Sequence, residues 1–108
     1  MTNFDDRERA FESQYARDQE LQFKIAARRN RLLGAWAAQL MGLTDVESEA
    51  YAKDVVRADF EEAGDEDVVR KLLGDLTSAG VEIDEARIRD ALQQKQAEAR
   101  RQFIEAKN

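Results

Sequence analysis

Large apolar residues recur along the chain at helical intervals, and the pattern breaks at three glycines. Leu21, Ile25, Leu32, Leu33, Trp36 and Leu40 are related by steps of three, four and seven. Val46, Ala50, Tyr51, Val55 and Ala58 form a second set, and Val69, Leu72, Leu73 and Leu76 a third. Ile88, Leu92, Ala99 and Phe103 make a fourth. No segment alternates with the period of two that a half-buried strand requires. The pattern predicts an all-α fold of four helices, a small bundle or a looser four-helix array.

The breaks carry their own chemistry. Gly42 suits the left-handed residue that ends a helix. Thr44, with Glu47 three residues on, has the spacing of a capping box, each side chain satisfying an orphan amide of the other. Gly64 is the expected terminator of the second helix and Asp65 the N-cap of the third. Gly80 and Asp84 repeat that arrangement before the fourth.

The expected core comprises Ile25, Leu32, Trp36, Leu40, Tyr51, Val55, Leu72, Leu76, Ile88 and Leu92. Each large side chain is worth roughly 1.5–3 kcal/mol when buried, and chain entropy offsets most of the sum. Trp36 stands among small neighbours, Gly34, Ala35, Ala37 and Ala38, which suits a core anchor beside a closely approaching helix better than a stacking site for a ligand. Helix four thins after Leu92, where Gln93, Gln94, Lys95 and Gln96 include no apolar residue, so its C-terminal end is expected to fray.

The first nineteen residues differ. Phe4, Phe11 and Tyr15 stand at steps of seven and four, one narrow stripe on a helix, among Asp5, Asp6, Arg7, Glu8, Arg9 and Glu12. Pairs such as Asp5 and Arg9 support a helix by ~0.2–0.5 kcal/mol each, yet an isolated helix of this length is marginal in water. Helical potential with little aliphatic mass to anchor it makes this stretch a candidate for folding on a partner. The aromatic stripe suits either an anchor in a partner's groove or an extension of helix one lying on its own bundle.

Composition narrows the function. Ala, Glu, Arg, Leu, Gln and Asp dominate, most of them good helix formers, and proline is absent. There is no cysteine and no histidine, which removes thiol chemistry, the commonest metal ligand and the usual general base near neutral pH. No catalytic residue, metal site or cofactor is expected, and an enzyme reading has no motif in its favour. The net charge of −6 opposes nucleic-acid binding. The longest apolar stretch, around Leu32 to Leu43, falls short of the ~20 residues of a membrane span. The opening residues are not those of a secretory signal, so a cytoplasmic location without membrane insertion is expected.

Two charged clusters bear on binding. Asp59, Glu61, Glu62, Asp65, Glu66 and Asp67 lack the alternating ligands and central glycine of a calcium loop, and read better as a solvated acidic turn. Lys24, Arg28 and Arg31 share a helical face and could attract an anion or the phosphates of ADP or ATP. No glycine-rich phosphate loop accompanies them, and a solvated face pairing with nearby carboxylates is the plainer reading.

The run Phe4-Asp5-Asp6-Arg7-Glu8-Arg9-Ala10-Phe11-Glu12 resembles the opening of the zeta-subunit inhibitors of bacterial F-type ATP synthases. The resemblance continues through Asp18-Gln19-Glu20-Leu21, Ala27-Arg28-Arg29-Asn30-Arg31-Leu32-Leu33-Gly34 and Trp36-Ala37-Ala38. It resumes at Glu49-Ala50-Tyr51-Ala52 and Ala58-Asp59-Phe60-Glu61-Glu62, and is weakest beyond Asp84. It implies a regulatory subunit that blocks ATP hydrolysis while largely sparing synthesis. Its flexible inhibitory arm, by this likeness residues 1–19 ahead of a four-helix domain over residues 20–108, would be mobile when free and helical when wedged at the catalytic interface of the alpha, beta and gamma subunits. By that likeness Phe4, Asp5, Asp6, Arg7, Arg9, Phe11 and Tyr15 are the partner contacts, and the protein sits at the periphery of the inner membrane when bound. Family members have also been associated with nucleotide binding. Ala63 stands where the family often has proline and Arg17 where it often has histidine, which puts pH sensing at that position in doubt. A small nucleotide-sensing or protein-interaction module without inhibitory activity is the alternative.

Overall fold

The computed structural model describes the backbone of residues 2–59 and 65–105 and the side chains of residues 17–59 and 65–104. Among those residues four helices follow one another: α1 (Thr2–Met41), α2 (Asp45–Ala58), α3 (Glu66–Ser78) and α4 (Glu85–Glu105). Among the described residues there is no strand. This is the all-α, four-helix architecture that the apolar spacing predicts. α1 runs unbroken past residue 19 and supplies the long axis of a molecule measuring 65 × 29 × 23 Å. α2 and α4 pack chiefly against α1, and α3 closes the core between them.

Local chain chemistry sets the turns. Gly42 takes φ 73°. The Leu43 amide donates to the Ala38 carbonyl and the Gly42 amide to that of Gln39, the paired bonds of a Schellman ending. Gly80, at φ 83°, ends α3 in the same way, with Val81 donating to Leu76 and Gly80 to Thr77. The predicted capping box is present: Thr44 Oγ1 accepts from the Glu47 amide at 3.2 Å, and Glu47 Oε1 accepts from the Thr44 amide at 2.9 Å. Those bonds from Thr44, the backbone one foremost, hold the Glu47 carboxyl below its ordinary range. Thr44→Ala is expected to lower the unfolding free energy by about 1 kcal/mol, measurable as a drop in urea midpoint. Asp84 caps α4, its Oδ1 accepting from the Arg87 amide at 2.9 Å. The expected stop at Gly64 lies outside the described residues.

The core joins Leu33 and Ala37 of α1 to Val55 of α2, Leu72 and Leu76 of α3, and Ile88 and Leu92 of α4. Several expectations are corrected here. Leu33 is fully buried where Leu32 was expected, and Ala37 and Ala38 are as buried as any leucine. Small residues lie under the closest helix crossing, and the bulky ones flank it. Trp36 packs on the side of the core with the Arg87 guanidinium over its ring at 5.3 Å. Leu40 is 45% exposed and borders an open cleft with Val81 and Ile83. α4 continues through Gln93–Gln96 to Glu105, with Ala99 buried against its neighbours.

Tyr51 ties α2 to α3. Its hydroxyl donates to Asp75 Oδ2 at 2.8 Å, and Lys71 Nζ donates to the same oxygen at 3.0 Å while standing 5.2 Å over the ring. Burial first, and the Asp75 carboxylate second, push the phenol well above its ordinary value. A group whose folded value is raised contributes stability below its unfolded value, which is lost as pH rises. Stability should therefore fall above pH ~10, where the unfolded phenol ionises. Tyr51→Phe should lose about 1 kcal/mol at neutral pH and show a shallower decline above pH ~10, read from melts at pH 7 and 10.5.

Candidate functional site

Lys24, Arg28 and Arg31 recur at i, i+4 and i+7 along α1, so their side chains leave the helix on one face. The structure brings all three to the lining of one open cleft of about 400 Å³, and adds Lys53 from α2. Phe23, Ala27, Val56 and Phe103 supply the apolar part of that lining. The Arg28 guanidinium stands 5.6 Å from the Phe103 ring centroid and donates to Gln102 Oε1 at 3.2 Å. Lys24 pairs with Glu20 one turn back, at 3.2 Å, in an exposed geometry worth little to stability. Among the described residues no carboxylate lines the cleft, in a chain where acidic residues outnumber basic ones 23 to 17. Sequence reasoning missed Lys53 and Phe103 as members of this site. Phe103 carried an apolar-spacing signal, but Lys53 carried none, because α2 folding back on α1 is what delivers it.

Arg29, next to that face, points the other way and is 5% exposed. Its Nη1 lies 3.1 Å from Asp65 Oδ1 and donates to Gln96 Oε1 at 3.4 Å; Nη2 is 3.6 Å from Asp59 Oδ2. Its Nε donates to Oδ1 of the fully buried Asn30 at 3.0 Å. One side chain of α1 thus reaches the end of α2, the entry to α3 and the middle of α4. This corrects two expectations. Asp65 occupies the N-cap position of α3 but makes no side-chain cap bond, its carboxylate being turned to Arg29. The acidic cluster is not simply a solvated turn: Asp59 and Asp65 flank Arg29, and Glu66 pairs with Arg89 at 2.8 Å. That arginine holds the Glu66 carboxyl below its ordinary range. Glu61 and Glu62 lie outside the described residues.

The partner contacts expected at Phe4, Asp5, Asp6, Arg7, Arg9, Phe11 and Tyr15 have backbones within α1, and their side chains lie outside the described residues. Among the described residues no group of three acidic, histidine or cysteine side chains is placed to hold a metal ion. No helix of those residues is long and apolar enough to cross a membrane.

Comparison with known proteins agrees with the fold and goes beyond it. A family profile described as ATPase inhibitor subunit zeta matches residues 1–102. A protein whose structure was determined by solution NMR is 46% identical and superposes with a TM-score of 0.71, over 80% of this chain and 98% of its own. No curated protein matches the chain.

Proposed function

The chain belongs to the ATPase inhibitor subunit zeta family, whose partner is the ATP synthase, and from that premise we propose that residues 1–19 are its inhibitory element. The arm enters the catalytic head as a helix at the interface of the alpha, beta and gamma subunits and blocks rotation in the hydrolytic direction. The observation that carries this reading is the continuity of α1 from Thr2 to Met41. Residues 2–19 extend about 27 Å along a helix, and the first buried apolar residue of α1 among those described is Ile25. A helix that continues ahead of its buried half suits insertion into a cleft. Phe4, Phe11 and Tyr15, at steps of seven and four in the sequence, are the aromatic anchors of this reading. Asp5, Asp6, Arg7 and Arg9 supply the charges around them.

The test adds the purified chain to the F-type ATPase head from the same cell and follows ATP hydrolysis. The full chain is expected to suppress hydrolysis, and a chain lacking residues 1–19 to leave it unchanged. Full hydrolysis in the presence of excess full-length protein would overturn the reading.

A second reading takes the cleft of Lys24, Arg28 and Arg31 as a site for ADP or ATP, favoured by their convergence beside the Phe103 ring. It stands second because every lining residue is inside a helix, where backbone amides are already bonded. Phosphate sites usually draw on free amides at a helix start. Titration with ATP checks it: saturable binding that Arg28→Glu abolishes would establish the site, and no heat of binding would remove it.

A further inference from the structure

We propose that the cationic cleft at the base of the arm is a second docking surface, which takes an acidic, partly apolar segment on the rim of the same partner that the arm enters. This rests on the inhibitor reading above and adds to it where the helical domain, and not the arm, meets the enzyme. Three observations carry it.

The first is charge placed against the composition. Lys24, Arg28, Arg31 and Lys53 line the cleft with no carboxylate beside them among the described residues, although the chain as a whole is at −6. Arg31 and Lys53 make no ion pair with any described residue, whereas Arg29, Arg70, Arg87, Arg89 and Lys71 all do. A protein this acidic has carboxylates in abundance, yet of the four cations only Lys24 has one, in an exposed pair with Glu20. Leaving Arg28, Arg31 and Lys53 without a carboxylate among the described residues creates a local positive field that an acidic surface would meet with complementary charge.

The second is the apolar share of the lining. Phe23 is 55% exposed, and it borders the cleft with Phe103, which has the Arg28 guanidinium over its ring. Apolar side chains interleaved with cations match the mixture of anchors and polar groups found in protein contacts. It suits a segment that carries an aliphatic or aromatic residue between aspartates and glutamates. Nucleic acid does not fit, since four cations on a chain of net charge −6 cannot offset repulsion of the remaining surface.

The third is position. Lys24 stands five residues beyond Gln19 on the same unbroken helix, about 7 Å along its axis, and Arg31 about 18 Å. Once the arm is seated, this face of the domain is the first to reach the outside of the entry site. Two contacts linked through one continuous helix act together, because engaging the first raises the effective concentration of the second.

The experiment uses the full chain carrying Arg31→Glu with Lys53→Glu, both exposed positions, and measures affinity for the catalytic head at low and high salt alongside inhibition of hydrolysis. A circular-dichroism melt confirms that the double variant folds. The dissociation constant at low salt is expected to rise about tenfold or more, with a weaker salt dependence. Inhibition should then need correspondingly more protein. Arg31→Lys with Lys53→Arg should retain the affinity. If the unmutated chain inhibits and the charge-reversed one binds with the same affinity and salt dependence, the docking surface is wrong and the inhibitor reading survives. If the unmutated chain does not inhibit at all, the inhibitor reading fails and takes this proposal with it. If ATP binds the unmutated chain, the double variant loses that binding and affinity for the head is unchanged, the cleft is a nucleotide site and the proposal falls.

Discussion

Arg29→Ala is expected to lower the unfolding free energy by about 2–3 kcal/mol, seen as a reduced urea midpoint in the fluorescence of Trp36, the chain's one tryptophan. Arg29 is 5% exposed and reaches Asp59, Asp65, Gln96 and Asn30 from a single position of α1. Breaking a fully buried pair costs about 3–5 kcal/mol, because the partner charge is stranded without water. Here the partners are not stranded: the Asp59 and Asp65 side chains are 21% and 46% exposed and can rehydrate. The estimate is lowered for that reason. What remains is the lost packing of the guanidinium and its stem, and Asn30 Oδ1 left without its donor inside the core.

Two further variants separate charge from volume. Arg29→Lys keeps the charge, but one ammonium cannot replace a planar fork that serves α2, α3 and α4 together, so it should recover a minor part of the loss. Arg29→Met keeps most of the volume. If the methionine variant matched the wild type in stability, desolvation would be offsetting the pairs in full, and the clamp would contribute position but no free energy.

The same residue marks where sequence reasoning stopped. Gly42, Gly80, Asp84 and the Thr44–Glu47 box were legible because each acts on amides within a few residues of itself, so the motif is the structure. The four-helix architecture was legible for a related reason, since apolar spacing reports a helix without knowing its neighbour. Arg29 stands in sequence beside Arg28 and Arg31, and nothing in its local spacing marks it as buried. Its burial depends on Asp59, Asp65 and Gln96, between thirty and sixty-seven positions away. Asp65 failed as a cap for the same cause, a longer-range partner having drawn off its carboxylate. Lys53 is silent in α2 until the α1–α2 turn swings it to the cleft. Leu40 and Leu32 were misplaced because bulk was taken as the mark of the buried face. On α1 that face runs through Leu33, Gly34, Ala37 and Ala38, residues chosen for closeness of approach.

That closeness makes Gly34→Ala a test in which two physical effects point in opposite directions. Helix propensity alone says that alanine stabilises the middle of a helix by up to about 1 kcal/mol over glycine. The packing says otherwise. A Cβ at Gly34 would stand 2.8 Å from Ala52 Cα, 3.2 Å from Val55 Cγ2 and 3.3 Å from Ala52 Cβ. The nearest of these is backbone, which cannot rotate out of the way as a side-chain end can. α2 must therefore move off α1, loosening the contact that holds Val55 in the core. Overpacking of this kind costs about 1–3 kcal/mol, and the net effect expected is a loss of about 1–2 kcal/mol, with Gly34→Val losing more. Gly74, inside α3, is the internal control. A Cβ there meets nothing within 4 Å, so propensity acts unopposed and Gly74→Ala should stabilise by about 0.5–1 kcal/mol. Urea titrations of the two alanine variants under one condition should move the midpoint in opposite directions. A stabilised Gly34→Ala would mean that α1 and α2 do not cross as closely as described, and the small-residue face would lose its reason.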